Sequence, residues 1–524
     1  MLRLQDDPSF LDSRSTLEIM LILGVVAVAA LVVAALAFRV RSRWLLAATL
    51  ALGVVQFFGP FGFTSFALLI TCTLLPVAFW RTRDDQRTLR SGATIWTLFL
   101  AALAAWQAVS VLWSEKLGSA GYGVIFSVAL LTVFLLARDV IRRDPAGTPV
   151  ALAVASPFVI ISALIVIVFR LWPPLEGAYL RSPIATLFTE PDVILVSDAE
   201  IAIALDPIRT LGLFAGEAMP RRESHPLLPR LFTQDDPTHY QNVLSPDKAG
   251  GLFLNGNTAS LFFAIAACAA LWAVFAGGRR TLHLVTAVVS VAALVATGSM
   301  TAVLLVVALP VVALFALFAV RRPVIGWIVG SIAVLVAIAG AVAVATFRPG
   351  ALSAGTTLGD RFTLWRMVAE AFPHRWFTGF GFGNWRTHIV DVWSDYFPGI
   401  ATQVWPPHNL ILQAWVDAGL IAVVLTVALV VVGLVGSLRR IGETRRRPVF
   451  SRAALRTAIV LIGLTWVFLH GMADTTFFAG DNHTLPFVAV LTALALTPVG
   501  AGSAGRGSAA SRSESRAASR KVEA

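Results

Sequence analysis

The 524-residue chain is 57% apolar and only 14% charged, with a mean hydropathy of +0.78. Soluble domains carry about 25% charged residues, so a single soluble globular domain is excluded and a polytopic membrane protein is indicated. The net charge of +11 follows a membrane pattern along the chain rather than forming a nucleic-acid-binding block, and both cysteines, Cys72 and Cys268, sit in apolar runs as small hydrophobes. Neither a disulfide framework nor a thiolate metal site follows from two such residues.

Apolar segments near the roughly 20 residues that cross a bilayer recur along the chain. They cover 17–38, 44–59, 61–80, 93–112, 121–138, 148–170, 251–276, 281–298, 300–320, 324–347, 408–436, 455–472 and 483–499. The predicted fold is therefore all-α, a polytopic transmembrane helix bundle of 13 spans with two long extracytoplasmic loops. Basic loops stay on the cytoplasmic side of a membrane. Here every second connection is basic: Arg39, Arg41 and Arg43; Arg81, Arg83, Arg87 and Arg90; Arg138, Arg142 and Arg143; Arg279 and Arg280; Arg321 and Arg322; then Arg439 through Arg456. That alternation predicts an N-terminus outside and a C-terminus inside. The first apolar run reads as an anchor and not a cleavable signal, because its positive flank follows it and Asp6, Asp7 and Asp12 precede it.

The expected layout is then a short extracytoplasmic N-terminus (1–16), six spans (17–170), an outer loop (171–250), four spans (251–347), a second outer loop (348–407), three spans (408–499) and a disordered basic cytoplasmic tail (500–524). Loops this long are uncommon unless functional or disordered. The first is Pro-rich with an acidic excess and carries no legible motif; its Asp198-Ala199-Glu200 is the nearest approach to a D-x-D, so metal-dependent sugar transfer is disfavoured.

The second outer loop is richer. Six of the fifteen tryptophans, Trp365, Trp376, Trp385, Trp393, Trp405 and Trp415, fall between 365 and 415, interleaved with Arg361, Arg375 and Arg386. Rigid aromatic faces beside arginines suit a ligand with apolar sugar faces and anionic oxygens. The run Gly379, Gly381, Gly383 lacks the G-x-G-x-x-G order of a nucleotide loop and reads as a tight turn at the membrane surface. Pro406 and Pro407 can begin a helix but not continue one backwards, which predicts His408 in the first turn of the next span. Gly419, eleven residues on, is expected to share its face about three turns deeper and to let another helix pack close. Asp417 lies below the interface, where a carboxylate is expensive, as a structural partner or a substrate group. Asp474, Asp481 and His483 flank the last outer turn and read as an interfacial cap or a contact to the active cavity rather than as a metal site.

Two quoted stretches carry a resemblance. "GDRFTLWRMVAEAFPHRWFTGFGFGNW" followed by "PPHNLILQAWVDAGL" resembles the outer-loop signature of the O-antigen ligase and O-antigen polymerase superfamily, matched here by Arg361, Trp365, Gly379, Gly381, Gly383, His408, Asn409 and Gly419. "VSVLWSEKLGSA" around Trp113 and Ser114 resembles the family's Trp-Ser turn, and "KAGGLFLNGNTAS" its R-x-x-G-x-F-x-x-x-N element, closed here by Asn257. "ATGSMTAVLL" resembles its Ser-Arg helix start. Two positions depart: Lys248 and Met300 stand where the family often has Arg. Lys248 keeps the charge but loses the bidentate fork, whereas Met300 removes it.

The resemblance implies an integral-membrane glycosyltransferase in the bacterial cytoplasmic membrane. It takes a glycan from undecaprenyl diphosphate on the extracytoplasmic side and passes it to a glycan or lipid-linked acceptor, with membrane lipids as surroundings and without nucleic acid, cofactor or metal. On this reading Arg361 neutralises the departing diphosphate and His408 either deprotonates the acceptor or holds a diphosphate oxygen. Lys248, Asn257, Trp365, Arg375, Arg386, Trp405 and Asn409 are the expected substrate-binding residues. The alternative is a transporter or flippase. Such proteins usually show internal repeats and helices broken at mid-membrane, and the polar residues here concentrate in the outer loops instead.

Overall fold

The computed structural model describes residues 16–57, 65–83, 91–114, 117–172, 248–253, 256–347, 357–389, 392–397, 406–474 and 478–497, with isolated positions between 175 and 188. Apolar runs can satisfy their backbone groups in lipid only as helices or closed barrels, and among the described residues the elements are helical. They are α1 (Thr16–Ala37), α2 (Ser42–Val55), α3 (Phe66–Thr73), α4 (Leu75–Thr82), α5 (Gly92–Ser110), α6 (Leu117–Arg143), α7 (Gly147–Leu171), α8 (Gly256–Ala276) and α9 (Arg280–Ala296). There follow α10 (Met300–Ala319), α11 (Pro323–Phe347), α12 (Thr357–Ala371), α13 (Trp385–Ile389), α14 (Trp393–Tyr396), α15 (Leu410–Glu443), α16 (Arg452–Gly471) and α17 (Leu485–Leu496).

Helices fall on all of the expected apolar segments, the third being divided at Leu74 into α3 and α4. Seven of them are long and apolar enough to cross a membrane: α5, α6, α7, α8, α10, α15 and α16. Of these, α6 and α8 are the most deeply enclosed. Both are apolar around most of their circumference, as helices inside a bundle must be. Around α6 pack α2, α4, α5 and α17, and around α8 pack α9 and α16. Trp96 stitches three helices together: its ring lies 4.3 Å from that of Phe134 on α6, and its indole N–H donates to Leu429 O on α15 at 3.2 Å. By contrast, α11 rests chiefly on α10, and both turn apolar side chains outward.

The arginines that punctuate the sequence tie one end of the bundle. Arg81 donates to Val40 O at 2.6 Å, Ala37 O at 3.1 Å and Phe38 O at 3.2 Å, so it caps the C-terminus of α1. Asp139, buried on α6, pairs with Arg143 at 2.8 Å and accepts from Ser42. Arg321 donates to Thr444 O at 3.0 Å and Arg447 O at 2.8 Å. The candidate site occupies the other end.

Candidate functional site

The site is organised by a break in α15. Its hydrogen bonding is continuous from Leu410 to Glu443 except at Ala418 (φ −147°, ψ 23°) and Gly419 (φ 72°, ψ −165°), which leave the helical region. Into that break docks the glycine turn, whose Gly379, Gly381 and Gly383 all have positive φ, at 65°, 92° and 71°. Phe380 N donates to Val416 O at 2.7 Å, Leu420 N to Trp376 O at 3.2 Å and Trp415 Nε1 to Trp376 O at 2.9 Å. Helix carbonyls and amides released by the break are thereby satisfied by the loop. Gly419 is thus needed for a loop backbone rather than for the approach of a second helix: a Cβ there would stand 1.8 Å from Phe377 O.

Asp417 completes the dock. Its Oδ1 accepts from Gly383 N at 3.1 Å and its Oδ2 from Gln413 Nε2 at 2.9 Å, in a side chain that is 4% exposed. Of its two readings, the geometry gives the structural one. The Trp-Ser turn joins from another side, where Asn384 donates to Ser114 Oγ and a Cβ on Gly381 would meet Ser114 Cα at 2.9 Å. Segments separated by some 270 residues of sequence, |i−j| = 270 for that bond, therefore share one turn.

Against this dock stands a polar cluster. The Pro-Pro segment does not place His408 in the first helical turn: α15 begins at Leu410, and Asn409 is its N-cap, Oδ1 accepting from Ile411 N at 3.0 Å and Leu412 N at 3.2 Å. Asparagine is among the best caps, so it takes that place and its oxygen is used within the chain. His408 is left just outside, half-buried, with φ 47°, a conformation costly for a non-glycine residue. Its Nδ1 faces Asp474 Oδ1 at 3.4 Å. Trp365 on α12 donates to Pro407 O at 2.9 Å, next to His408. Arg361, four residues earlier, shares the Trp365 face of α12.

His470, fully buried at the end of α16, lies against the Asn257 backbone within reach of the charges of Arg361, Asp474 and Asp481. Lys248 lies beside Gly256, whose Cβ position is 3.2 Å from Lys248 Cβ, at the start of the same helix as Asn257. The structure thus brings together Arg361, Trp365, His408, Asn409 and Asn257, with Lys248 adjoining. Asp474, expected as a cap or a contact to the active cavity, belongs with them, and so does His470, which was not among the expected residues. Their spacing of four, at the end of α16, is the sequence signal for that pair.

Other expected residues stand apart. Arg375 is exposed, and its carbonyl, accepting from Gly379 N at 2.8 Å, serves the turn. Arg386 begins α13, but its side chain lies outside the described residues, as does all of Trp405. Met300 is 85% exposed at the start of α10. The tryptophans divide: Trp385 and Trp393 are buried in a small core with Leu364, Val368 and Phe380, while Trp376 is exposed. Two of the six are therefore packing for the loop rather than ligand faces. On its surface Arg366 Nε reaches Glu370 at 2.7 Å and the Tyr396 hydroxyl donates to the same carboxylate, linking α12 to α14. Those two hydrogen bonds, Tyr396 first and then Arg366, hold the Glu370 carboxyl below its usual range.

His483 packs against the rings of Phe253 and Phe262, with Nδ1 3.2 Å from Val54 O. Its role is packing. Among the described residues no three His, Cys, Asp or Glu side chains converge as a metal site would require.

An all-helical chain with seven helices able to span a bilayer, bearing a polar cluster on a loop assembly at one end, defines a multi-pass membrane protein. Residues 285–427, about a quarter of the chain, match the family model described as O-Antigen ligase, which supports the resemblance to the O-antigen ligase superfamily. The match includes Arg361, Trp365, the glycine turn, His408, Asp417 and Gly419; Lys248, Asn257, His470 and Asp474 lie outside it. The match and the architecture together support a membrane glycan-processing enzyme. A comparison with curated proteins finds no match.

Proposed function

We propose that this protein transfers a glycan from undecaprenyl diphosphate to an acceptor on the outer face of the bacterial cytoplasmic membrane, as an O-antigen ligase or a polysaccharide polymerase does. The observation that carries the reading is the joining of α12 to the segment before His408 through Trp365 and Pro407, which sets a permanent cation, Arg361, on the same side as an imidazole.

Glycosyl diphosphate is already activated. The acceptor oxygen attacks the anomeric carbon, the carbon–oxygen bond to diphosphate breaks, and its electron pair leaves with the diphosphate. Arg361 meets that growing charge with charge-assisted hydrogen bonds, which are strongest where water is excluded. The acceptor's proton passes to His408 Nε2. Asp474 faces the other ring nitrogen at 3.4 Å, so it selects the tautomer with the proton on Nδ1 and stabilises the imidazolium that forms. General-base help of this kind is worth about 10² to 10⁴ in rate. His470, fully buried, lies within reach of the charges of Asp474 and Arg361.

The orientation belongs to the same proposal. Reporters fused after Ser119, Asp235 and Ser394 are expected to read as extracytoplasmic, and after Gln86, Arg280 and Thr444 as cytoplasmic. A cytoplasmic Ser394 overturns the reading, because the polyprenyl donor is used on the other face. Arg361→Ala is expected to remove transfer and Arg361→Lys to retain a fraction, since a point charge attracts diphosphate without the planar two-bond geometry. Equal activity in both variants is the contrary result.

A further inference from the structure

At the end of the bundle opposite the candidate site, α5, α15 and α17 leave a groove of about 320 Å³ between them. That is within the range of about 300–1,000 Å³ typical of small-molecule sites. Ile95, Val432, Val435 and Leu496 form its walls, and Arg439 and Arg440 stand at its mouth. From Val432 to Arg439 the groove follows α15 for about 10 Å. The two arginines differ. Arg440 is 18% exposed, donates to Ala495 O at 3.2 Å and pairs with Glu443 at 3.0 Å, so its charge is met within the protein. Arg439 is exposed and has no hydrogen-bond or ion-pair partner among the described residues.

We infer that the groove is a binding site for an anionic phospholipid of the cytoplasmic leaflet, with an acyl chain along the apolar wall and the headgroup phosphate at Arg439. The leaflet rests on the orientation proposed above; the site itself does not. A free phosphate fits the cation but leaves the apolar wall uncovered. A zwitterionic lipid fits the wall but brings an ammonium group to an uncompensated guanidinium. Only a lipid with net negative charge satisfies both, and basic pockets between helices on the cytoplasmic side suit such headgroups in general. Arg445, Arg446 and Arg447, exposed just beyond α15, raise the local concentration of anionic lipid without forming part of the groove.

The test uses the full chain in nanodiscs of phosphatidylcholine containing a minor fraction of phosphatidylglycerol, extracted into detergent, with retained lipid identified by native mass spectrometry. Phosphatidylglycerol is expected to be enriched over phosphatidylcholine on the wild-type protein. Arg439→Ala is expected to weaken that retention about fivefold. Val435→Trp, which fills the wall from a partly exposed position, is expected to weaken it as well, whereas Arg446→Ala leaves it unchanged. Equal retention by all variants, or loss in Arg446→Ala as large as in Arg439→Ala, overturns the site in favour of a diffuse basic surface. A reporter after Thr444 that reads as extracytoplasmic overturns the leaflet.

Discussion

Replacing Gly419 by alanine tests whether the break in α15 holds the glycine turn in place. The new Cβ would lie 1.8 Å from Phe377 O, 2.3 Å from Phe377 C and 2.7 Å from Thr378 N, all backbone atoms that no side-chain rotation can move. Gly419 also has φ 72°, where an L side chain costs about 1 to 2 kcal/mol. Expelling the turn breaks the bonds from Phe380 N, Leu420 N, Gly383 N and Trp415 Nε1, each worth about 0.5 to 1.5 kcal/mol net. The docking loss is then about 3 to 8 kcal/mol, a large share of the 5 to 15 kcal/mol that stabilises a typical domain. Because the helices themselves are untouched, the expected outcome is release of the loop rather than loss of the bundle. Residues 372–389 should become sensitive to protease, the first thermal transition in detergent should fall, and transfer should disappear. Gly433→Ala is the control on the same helix: its Cβ meets only Leu464 Cδ1, at 3.8 Å, and alanine gains helix propensity. Protection and activity unchanged in Gly419→Ala, or damage as great in Gly433→Ala, would refute the reasoning.

Trp365→Phe removes the bond to Pro407 O and is expected to cost about 0.5 to 1.5 kcal/mol, read as a lower Tm with reduced transfer. Asp474→Asn is expected to lower kcat with little change in donor KM, because it acts through His408 rather than on the donor. Met300→Arg is expected not to tighten donor binding, since that side chain is 85% exposed rather than enclosed in the cluster; tighter binding in a titration of lipid-linked donor would show the opposite. Glu370, held below its ordinary range, stabilises the α12–α14 link above the usual carboxylate pKa, and that contribution is lost as pH falls through the lowered folded value. Glu370→Gln should therefore flatten the acid dependence of protease protection in the outer loop.

The helices were legible because an apolar run of the right length admits few structures in lipid, and seven of those described are long and apolar enough to cross a membrane. The glycine turn was legible for a related reason: alternating glycines announce backbone angles that other residues resist. What they dock against was not, because Asp417 and Gly419 sit inside an apolar helix whose pattern reads as continuous. The start of α15 was misplaced by one step of chemistry. Two prolines announce a helix start, but the asparagine beyond them is the better cap, and His408 is displaced into a strained position outside. His470 was hidden by its apolar neighbours, and Met300 was judged by its place beside Ser299 rather than by its exposure, which periodicity in an all-apolar helix leaves open.

The central claim is that a lipid-linked glycan is transferred at the cluster around His408. Its most direct test is transfer by the purified full chain in liposomes, with an undecaprenyl-diphosphate-linked glycan, a matching acceptor and excess chelator. Wild-type protein is expected to form product under these conditions and His408→Ala to form almost none while retaining the wild-type Tm. Full transfer by His408→Ala, or an absolute requirement for a divalent metal, would contradict the account.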